Sequence, residues 1–427
     1  MSTATREIPI QGAAAAGSGA SSSGAAGSVV AGSAAPGSLT GVGPALSPRR
    51  LTIALLAVGL ATFTQLYAIQ GALPQLAREL DASPSEVALT VSLATGGLAV
   101  SVLPWAFLAD RIGKLPAMRI AAVGSVVLAL AVVVAPTTET LMVARFLGGA
   151  VLGAVPTLSV AVVYERIGGP AAATVAAVYI AGTSVGGAAG RLIVGPIAPL
   201  TGWRPALALV ALLGAIAVAV FLIAIHGRGA VAPHAPTSRR ARMRAALTGA
   251  GLWPLYVQGL LLVGVQVGVY NYLAFRLEAE PYALAPAIAS LIFVAYAAGT
   301  VGSRATSWLA SSFGARATVV GGHLTLLAGL ALMLAEPLPA VVVGLVVATL
   351  GFFVAHATAA SLVGARAEPI ARSQAGAFYT VSFYVGSAVG GWALGLPFEA
   401  AGWGAFTAVA AAIVLVSLAC AFGGHRR

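Results

Sequence analysis

The sequence contains very little charge. Only 8% of its 427 residues are charged and 59% are hydrophobic, whereas a soluble domain carries roughly 25% charged residues. Such a chain lacks the charge needed to cover a water-facing surface, so lipid is expected to be its solvent. The apolar stretches are long and continuous, without the alternation of period two that a membrane β-barrel requires, and they therefore predict transmembrane helices.

Cysteine and lysine are nearly absent. Cys420 is the only cysteine, which excludes a disulfide framework. Lys114 is the only lysine, and the abundance of Arg, Ala and Gly suggests a GC-rich bacterial genome. The net charge of +11 could indicate a nucleic-acid partner. Because the arginines fall between apolar segments, we expect membrane lipid as the partner and no nucleic acid.

Apolar segments follow one another from about residue 51, and each is long enough for the roughly 20 residues that a span requires. The longest connection, at 227–250, divides them six and six. We predict an all-α membrane protein of about twelve transmembrane helices in two pseudo-symmetric six-helix bundles, at 49–226 and 251–427. The segment 227–250 is the expected basic cytoplasmic linker, and 1–48 the expected disordered cytoplasmic tail, because it is rich in Ser, Gly and Ala.

The loop charges predict the orientation of the chain in its membrane. Most basic residues fall on one side of the predicted spans, and only Arg78, Arg204 and Arg276 fall on the other, together with most of the acids. Positive loops stay in the cytoplasm. Both termini are therefore expected in the cytoplasm, and the bacterial composition points to the inner (cytoplasmic) membrane.

The two halves of the sequence resemble each other at an offset of 200 residues. Tyr179, Val185, Gly186, Gly190, Gly195, Gly202 and Trp203 each meet an identical residue 200 positions later. The fifth and eleventh spans therefore look duplicated, and duplicated halves commonly hold a solute between them near the middle of the membrane. Five glycines are expected to permit close helix packing; they are Gly149, Gly186, Gly190, Gly386 and Gly390.

The loop after the second span reads Ala106-Phe-Leu-Ala-Asp110-Arg111-Ile-Gly113-Lys114. It resembles the cytoplasmic signature of the major facilitator superfamily, Gly-x-x-x-Asp-Arg-x-Gly-Arg/Lys, with Ala106 in place of the first glycine. We interpret Asp110, Arg111, Gly113 and Lys114 as a gating motif. A carboxylate at Asp110 can accept hydrogen bonds from a helix N-terminus, and Gly113 permits a tight turn. An ordinary basic loop is the alternative.

Other segments extend the resemblance over residues 50 to 427. Arg145-Phe-Leu-Gly-Gly149 resembles the superfamily motif Arg-x-x-x-Gly, and the fifth span resembles a glycine-rich motif of proton-linked exporters. Segments around Tyr270, His356 and Tyr379 are similar to bacterial permeases labelled arabinose-efflux-like or multidrug-like. The resemblance implies a monomeric secondary transporter that works by alternating access and exports a small solute by proton antiport. The alternative is uptake or facilitated diffusion of a sugar-like or anionic metabolite.

No Asp or Glu falls at mid-span, so the candidates for buried charge and coupling are Arg145, Arg191 and His356. Histidine changes charge between about pH 5 and 8, although a packing role is equally open to His356. Buried arginines without a buried acid would tolerate an anion. The first and seventh spans commonly line the cavity in this superfamily, and such polar side chains suit a moderately polar solute. The substrate-cavity candidates are Tyr67, Gln70, Gln266, Tyr270, Asn271, Tyr379 and Tyr384.

Two other classes of function fit poorly. An enzyme would need a metal cluster or a nucleophile–base pair, and the chain has five His and no His-Glu-x-x-His motif, so we expect neither metal nor cofactor. A sensor or scaffold would usually carry a folded cytoplasmic domain, and the tail and linker are too short and polar for one. The sequence also lacks a Gly-x-x-x-x-Gly-Lys-Ser/Thr motif, so ATP is not the expected fuel.

Overall fold

The computed structural model describes residues 47–167, 169–225 and 238–423, and every regular element in these ranges is a helix. We number the long helices of this part as spans 1 to 12. Their bounds are Pro48–Glu79, Pro84–Ile112, Lys114–Val133, Thr138–Arg166, Ala171–Thr201, Trp203–Ala224, Trp253–Glu278, Pro286–Phe313, Ala315–Leu332, Leu338–Arg366, Arg372–Ala393 and Gly395–Phe422. The predicted tail, apart from residues 47 and 48, and residues 227–237 of the predicted linker lie outside the described residues. A short helix, Arg239–Thr248, precedes span 7.

Eleven of these spans are long and apolar enough to cross a membrane, and span 11 is the one that is less apolar. Span 11 packs against span 7 and against span 2 across the middle of the molecule. Much of its surface therefore faces protein, which tolerates polar side chains such as Thr380 and Ser387 better than lipid does. The predicted all-α fold of about twelve spans is confirmed.

Local chemistry sets where the spans begin and how they turn. Span 2 begins with a capping box, in which Ser83 and Glu86 each bond the backbone N–H of the other. Gly113 joins spans 2 and 3 with a φ of 93°, and Gly314 joins spans 8 and 9 with a φ of 83°. Side chains other than glycine are strained at such angles. The same turn thus recurs at nearly the same place in each half.

The duplication extends to the packing of span 1 on span 5 and of span 7 on span 11. A Cβ atom added to Gly59 would touch the Tyr179 ring, and one added to Gly259 would touch the Tyr379 ring. Gly186 lies against the backbone of span 1, and Gly386 lies in the same way against span 7. Both pairs are related by the offset of 200 residues, so the two halves are built on one plan.

The remaining candidate packing glycines also lie where backbones approach closely. A Cβ on Gly190 would be 2.5 Å from the Thr64 carbonyl oxygen, and one on Gly149 would overlap the backbone of Ala94. Gly390 meets Gly264 in span 7. Larger side chains at these sites would push the helices apart.

The two ends of the helical bundle carry opposite charge. We call the end with Arg49, Lys114, Arg166 and Arg366 the basic end, and the end with Glu79, Glu139, Glu278 and Glu399 the acidic end. The buried core is shared by both halves toward the acidic end, where one cluster includes Leu73 and Leu277. Toward the basic end the core is split. One cluster, around Leu55 and Phe221, belongs to the first half, and another, around Leu252 and Val363, belongs to the second.

Candidate functional site

A cavity of about 480 Å³ lies between the two halves. Spans 1 and 5 of the first half line it, together with spans 7, 8, 10 and 11 of the second. Its volume falls within the roughly 300–1,000 Å³ that is usual for small-molecule sites. Of the sequence candidates, five line the cavity, namely Tyr67, Arg191, Gln266, His356 and Tyr384. None of the Asp or Glu residues that the structure describes lines it.

Arg191 is the most enclosed cation of the cavity, with 3% of its surface exposed. Its Nε donates to Gln70 Oε1 at 2.5 Å and its Nη1 donates to the Gly187 carbonyl oxygen at 2.9 Å. The guanidinium lies 4.3 Å from the centre of the Tyr67 ring and 4.6 Å from that of Tyr296. Amide, carbonyl and aromatic faces thus hold the cation within the membrane in the way expected of a buried arginine.

Arg304 is a second cation of the cavity, and the sequence reasoning did not single it out. It shares one face of span 8 with Tyr296, Thr300 and Ser303, because residues three or four apart lie above one another on a helix. Unlike Arg191, it is exposed. The rule that selected Arg145, a cation inside an apolar segment, would have selected Arg304 as well.

Gln70 and Asn271 do not line the cavity but close it toward the acidic end. Gln70 Nε2 donates to Asn271 Oδ1 at 2.5 Å, and Asn271 Nδ2 donates to the Gly391 carbonyl oxygen at 2.9 Å. Because Gln70 also accepts from Arg191, a continuous chain of hydrogen bonds runs from the cavity across both halves. The structure therefore places these two predicted solute contacts in the interface between the halves.

Further contacts between the halves lie at the acidic end. Arg78 Nη1 forms a salt bridge with Glu278 Oε2 at 2.7 Å, and these residues occupy equivalent positions of spans 1 and 7. The Ser85 backbone N–H donates to Glu399 Oε1 at 2.7 Å. These contacts join the ends of spans 1 and 2 to those of spans 7 and 12, so the halves are fastened together on this side.

His356 lies at the cavity wall in a group of aromatic rings. It is buried, and its Nδ1 lies 2.8 Å from the Tyr379 hydroxyl oxygen. The imidazole stacks on Phe352 with a centroid distance of 5.5 Å and lies 4.8 Å from the Phe383 ring centre. Tyr379 is thus a partner of His356 and is not itself a lining residue.

Tyr270 and Gln266 form a separate polar group in the second half. The Tyr270 hydroxyl is 2.8 Å from Thr349 Oγ1, and Gln266 Nε2 donates to the same oxygen at 3.4 Å. The Tyr270 ring packs on that of Tyr296, with centroids 4.3 Å apart. Tyr270 therefore packs behind the lining residue Tyr296, whereas Gln266 itself lines the cavity.

Arg145 lies away from the central cavity and binds three backbone carbonyl oxygens. It donates to Thr90 at 2.9 Å, to Gln65 at 3.1 Å and to Leu66 at 2.5 Å. Gln65 and Leu66 come just before a 3₁₀ turn at Ala68–Ala72, where the helical bonding changes and carbonyl oxygens can accept from side chains. Arg145 therefore ties span 4 to spans 1 and 2.

The candidate gating motif lies at the basic end of the first half, far from the cavity. Asp110 and Arg111 are exposed there, at the end of span 2. Gly113 makes the tight turn, and Lys114 Nζ bonds Glu165 Oε1 at the end of span 4. The motif thus connects span 3 with span 4 beside the split part of the core. Its gating role stays a prediction.

Comparison with known proteins places the chain in a family. Residues 51–391 match the family model of the Major Facilitator Superfamily. The chain is 31% identical over 383 residues to the inner membrane transport protein YnfM of Escherichia coli (strain K12), covering 88% of this chain and 91% of that protein. It is 29% identical over 374 residues to the uncharacterised MFS-type transporter YybF of Bacillus subtilis (strain 168), covering 87% and 92%.

The fold agrees with this match. A bacterial homologue of the human lysosomal transporter Spinster, in an inward-facing and unoccupied conformation, superposes with a TM-score of 0.76 at 15% identity. The superposition covers 90% of this chain and 98% of that chain. A family model over most of the chain, relatives aligned over nearly their whole length and a shared fold lead to one conclusion. The chain belongs to the major facilitator superfamily.

Proposed function

We propose that the protein exports a small solute from the cytoplasm by alternating access, in exchange for protons, and works as a monomer in a bacterial inner membrane. Membership of the superfamily makes it a membrane transporter of a small solute rather than an enzyme. The direction, the coupling to protons and the orientation are our proposal. Positive loops stay in the cytoplasm, so the basic end is the cytoplasmic end in this proposal.

One observation carries the proposal of alternating access. The central cavity lies on the basic-end side of the hydrogen bonds that join the halves, and the core is continuous on one side of it and split on the other. The two halves are therefore joined at the acidic end and can separate at the basic end. Breaking the bonds at the acidic end while the halves meet at the basic end would expose the cavity to the opposite side.

His356 supports the coupling to protons. Among the described lining residues it is the group whose ordinary titration falls between about pH 5 and 8. The charged groups that share its cavity are Arg191 and Arg304, and its direct polar partner is Tyr379. Protonation would bring a third positive charge into the cavity, so it would change how strongly the cavity holds a solute.

Proton movement in inside-out vesicles tests export by exchange. An acid-inside gradient is imposed and followed with a pH-sensitive dye while sugars, organic anions and toxic amphiphiles are added in turn. We expect one class to dissipate the gradient only in vesicles that contain the protein. Empty vesicles and vesicles with an Asp110→Asn variant serve as controls. Solute flux that leaves the gradient unchanged would contradict proton exchange.

A second candidate function is uptake or facilitated diffusion of an anionic metabolite. The observation that favours it is the cavity charge, since Arg191 and Arg304 line it without any described carboxylate. Flux of a labelled anion at fixed pH, with no imposed gradient, would distinguish this function from proton-driven export.

A further inference from the structure

We infer that the solute is an organic anion with an aromatic or other apolar body, and that Arg191 binds its acidic group. This inference rests on the proposed function only in taking the central cavity to be the solute site. It does not rest on exchange for protons, because protonation of His356 would strengthen the binding of an anion. It adds the chemical class of the solute and assigns the parts of the site that recognise it.

The charge balance of the cavity is the first observation. Arg191 and Arg304 both line it, and the described part of the chain contributes no carboxylate to its wall. Cations within a membrane are costly unless they are paired or hydrogen-bonded, and they commonly mark the path of a substrate. A solute that carries negative charge would supply the missing counter-charge, whereas an organic cation would be repelled.

The hydrogen bonding of Arg191 is the second observation. A guanidinium has five N–H donors. Three contacts of Arg191 are found among the described residues: Gln70 at 2.5 Å, Gly187 at 2.9 Å and the Tyr296 hydroxyl at a long 3.5 Å. At least two N–H groups are therefore left for a ligand. A carboxylate or phosphate could take two parallel N–H bonds, which is the strongest arrangement for this pair.

The walls around Arg191 predict the body of the solute. Aromatic rings of both halves line the cavity; besides Tyr67 and Tyr296 they include Phe63, Phe293, Phe352, Phe353, Phe383 and Tyr384. Flat apolar walls favour aromatic and aliphatic groups, which they can enclose with little cost in polar contacts. Gln266 and Thr300 add a few polar contacts. A small inorganic anion would leave most of this apolar surface unused.

Arg304 has a different role in the same site. It follows Tyr296 by eight residues on span 8, so its Cα lies about 12 Å nearer the basic end. Arg304 is exposed whereas Arg191 is 3% exposed, so the two cations offer a solute different degrees of enclosure. We assign Arg304 to attracting anions into the cavity and Arg191 to binding them, because a like-charged lining raises the local concentration of its counter-ion.

Matched pairs of ligands test the inference on the purified full-length protein in lipid nanodiscs. The probes are benzoate against benzamide and 1-naphthoate against 1-naphthamide, with 1-naphthylmethylammonium as the cation. Thermal unfolding reports binding, because a ligand that binds only the folded state raises Tm. We expect at least one carboxylate to raise Tm in a concentration-dependent way, and its amide and the cation to have little effect.

Variants test the roles assigned to Arg191 and Arg304. Arg191→Gln should weaken carboxylate binding about 30-fold or more, since it removes one partner of a buried charge pair. Arg191→Lys keeps the positive charge but loses the planar, bidentate hydrogen bonding of a guanidinium, so it should bind the carboxylate with intermediate affinity. Arg304→Gln should have a smaller effect that disappears at high salt. Arg240→Gln, at an exposed arginine of the short helix before span 7, is the matched control and should bind as the wild type does.

The outcomes separate the inference from the proposed function. Equal stabilisation by amides and carboxylates would overturn the inference, and this comparison uses the wild-type protein alone. Carboxylate binding that survives Arg191→Gln would also overturn it. Protein-dependent flux of neutral or cationic solutes, without carboxylate binding, would also overturn it while leaving transport intact. Binding that depends on Arg191 but is never accompanied by flux of the bound anion into proteoliposomes would instead contradict the proposed transport function.

Discussion

Replacing Asn271 by alanine should shift the protein away from the conformation in which the acidic end is closed. Asn271 accepts a hydrogen bond from Gln70 across the two halves and donates another to Gly391 within its own half. Only the first of these bonds must break when the acidic end opens. The substitution therefore weakens the closed acidic end and leaves the opened state less affected.

The size of the shift follows from the burial of the pair. Gln70 and Asn271 are 1% and 0% exposed, so the amide of Gln70 would lose its partner in a place without solvent. A buried donor left without an acceptor costs about 1–3 kcal/mol. The ratio of open to closed molecules at the acidic end should therefore rise by a factor of about 5–150.

A cysteine behind the closed end can report this change. Ser290 is buried in span 8, where Gly195 of span 5 packs against it. We would introduce Ser290→Cys in a Cys420→Ser background and measure its reaction with a membrane-impermeant maleimide added at the acidic end. Asn271→Ala should increase the labelling rate by the factor given above, provided that opening precedes a slower labelling step.

Tyr272→Phe is the matched control for this experiment. The Tyr272 hydroxyl is also buried and donates to Gly391 and Trp392, but these bonds stay within the second half. Its removal costs a comparable hydrogen bond without freeing the interface. If both variants label Ser290→Cys at the same rate, the Gln70–Asn271 bond does not hold the acidic end closed.

Three further predictions follow from the same structure. Asp110→Asn should impair flux while membrane insertion, measured by surface labelling, stays normal; normal flux would remove the gating assignment. His356→Gln should change the pH dependence of flux, and an unaltered pH profile would leave this histidine a packing role. Gly386→Ala would place a Cβ against the Leu260 carbonyl and should lower the free energy of unfolding by about 1–3 kcal/mol. Gly404→Ala, where a Cβ meets nothing within 4 Å, should be neutral or slightly stabilising, and equal Tm values for the two variants would refute the packing argument.

The overall fold could be predicted from the sequence because its determinants are local. A run of apolar residues must satisfy its backbone within itself in lipid, so eleven of the spans follow from hydrophobicity alone, and the less apolar span 11 is visible as the counterpart of span 5. The turn at Gly113 follows from one glycine, and the duplication of Tyr179 and Gly186 is visible as an offset of 200 residues. The apolar spans and the turn depend on neighbours along the chain, the duplication is visible when the sequence is aligned with itself, and the structure agrees with all three.

The roles of individual polar side chains needed the tertiary structure. The sequence predicts Gln70 and Asn271 as solute contacts, and the structure shows them bonded to each other across the halves. Arg145 and Arg191 look alike as cations in apolar segments, yet one binds backbone carbonyls and the other faces the cavity. The reason is physical. In lipid both the packed and the exposed faces of a helix are apolar, so hydrophobic periodicity does not reveal which face meets the partner half, and only the packing of spans from two distant parts of the chain decides it.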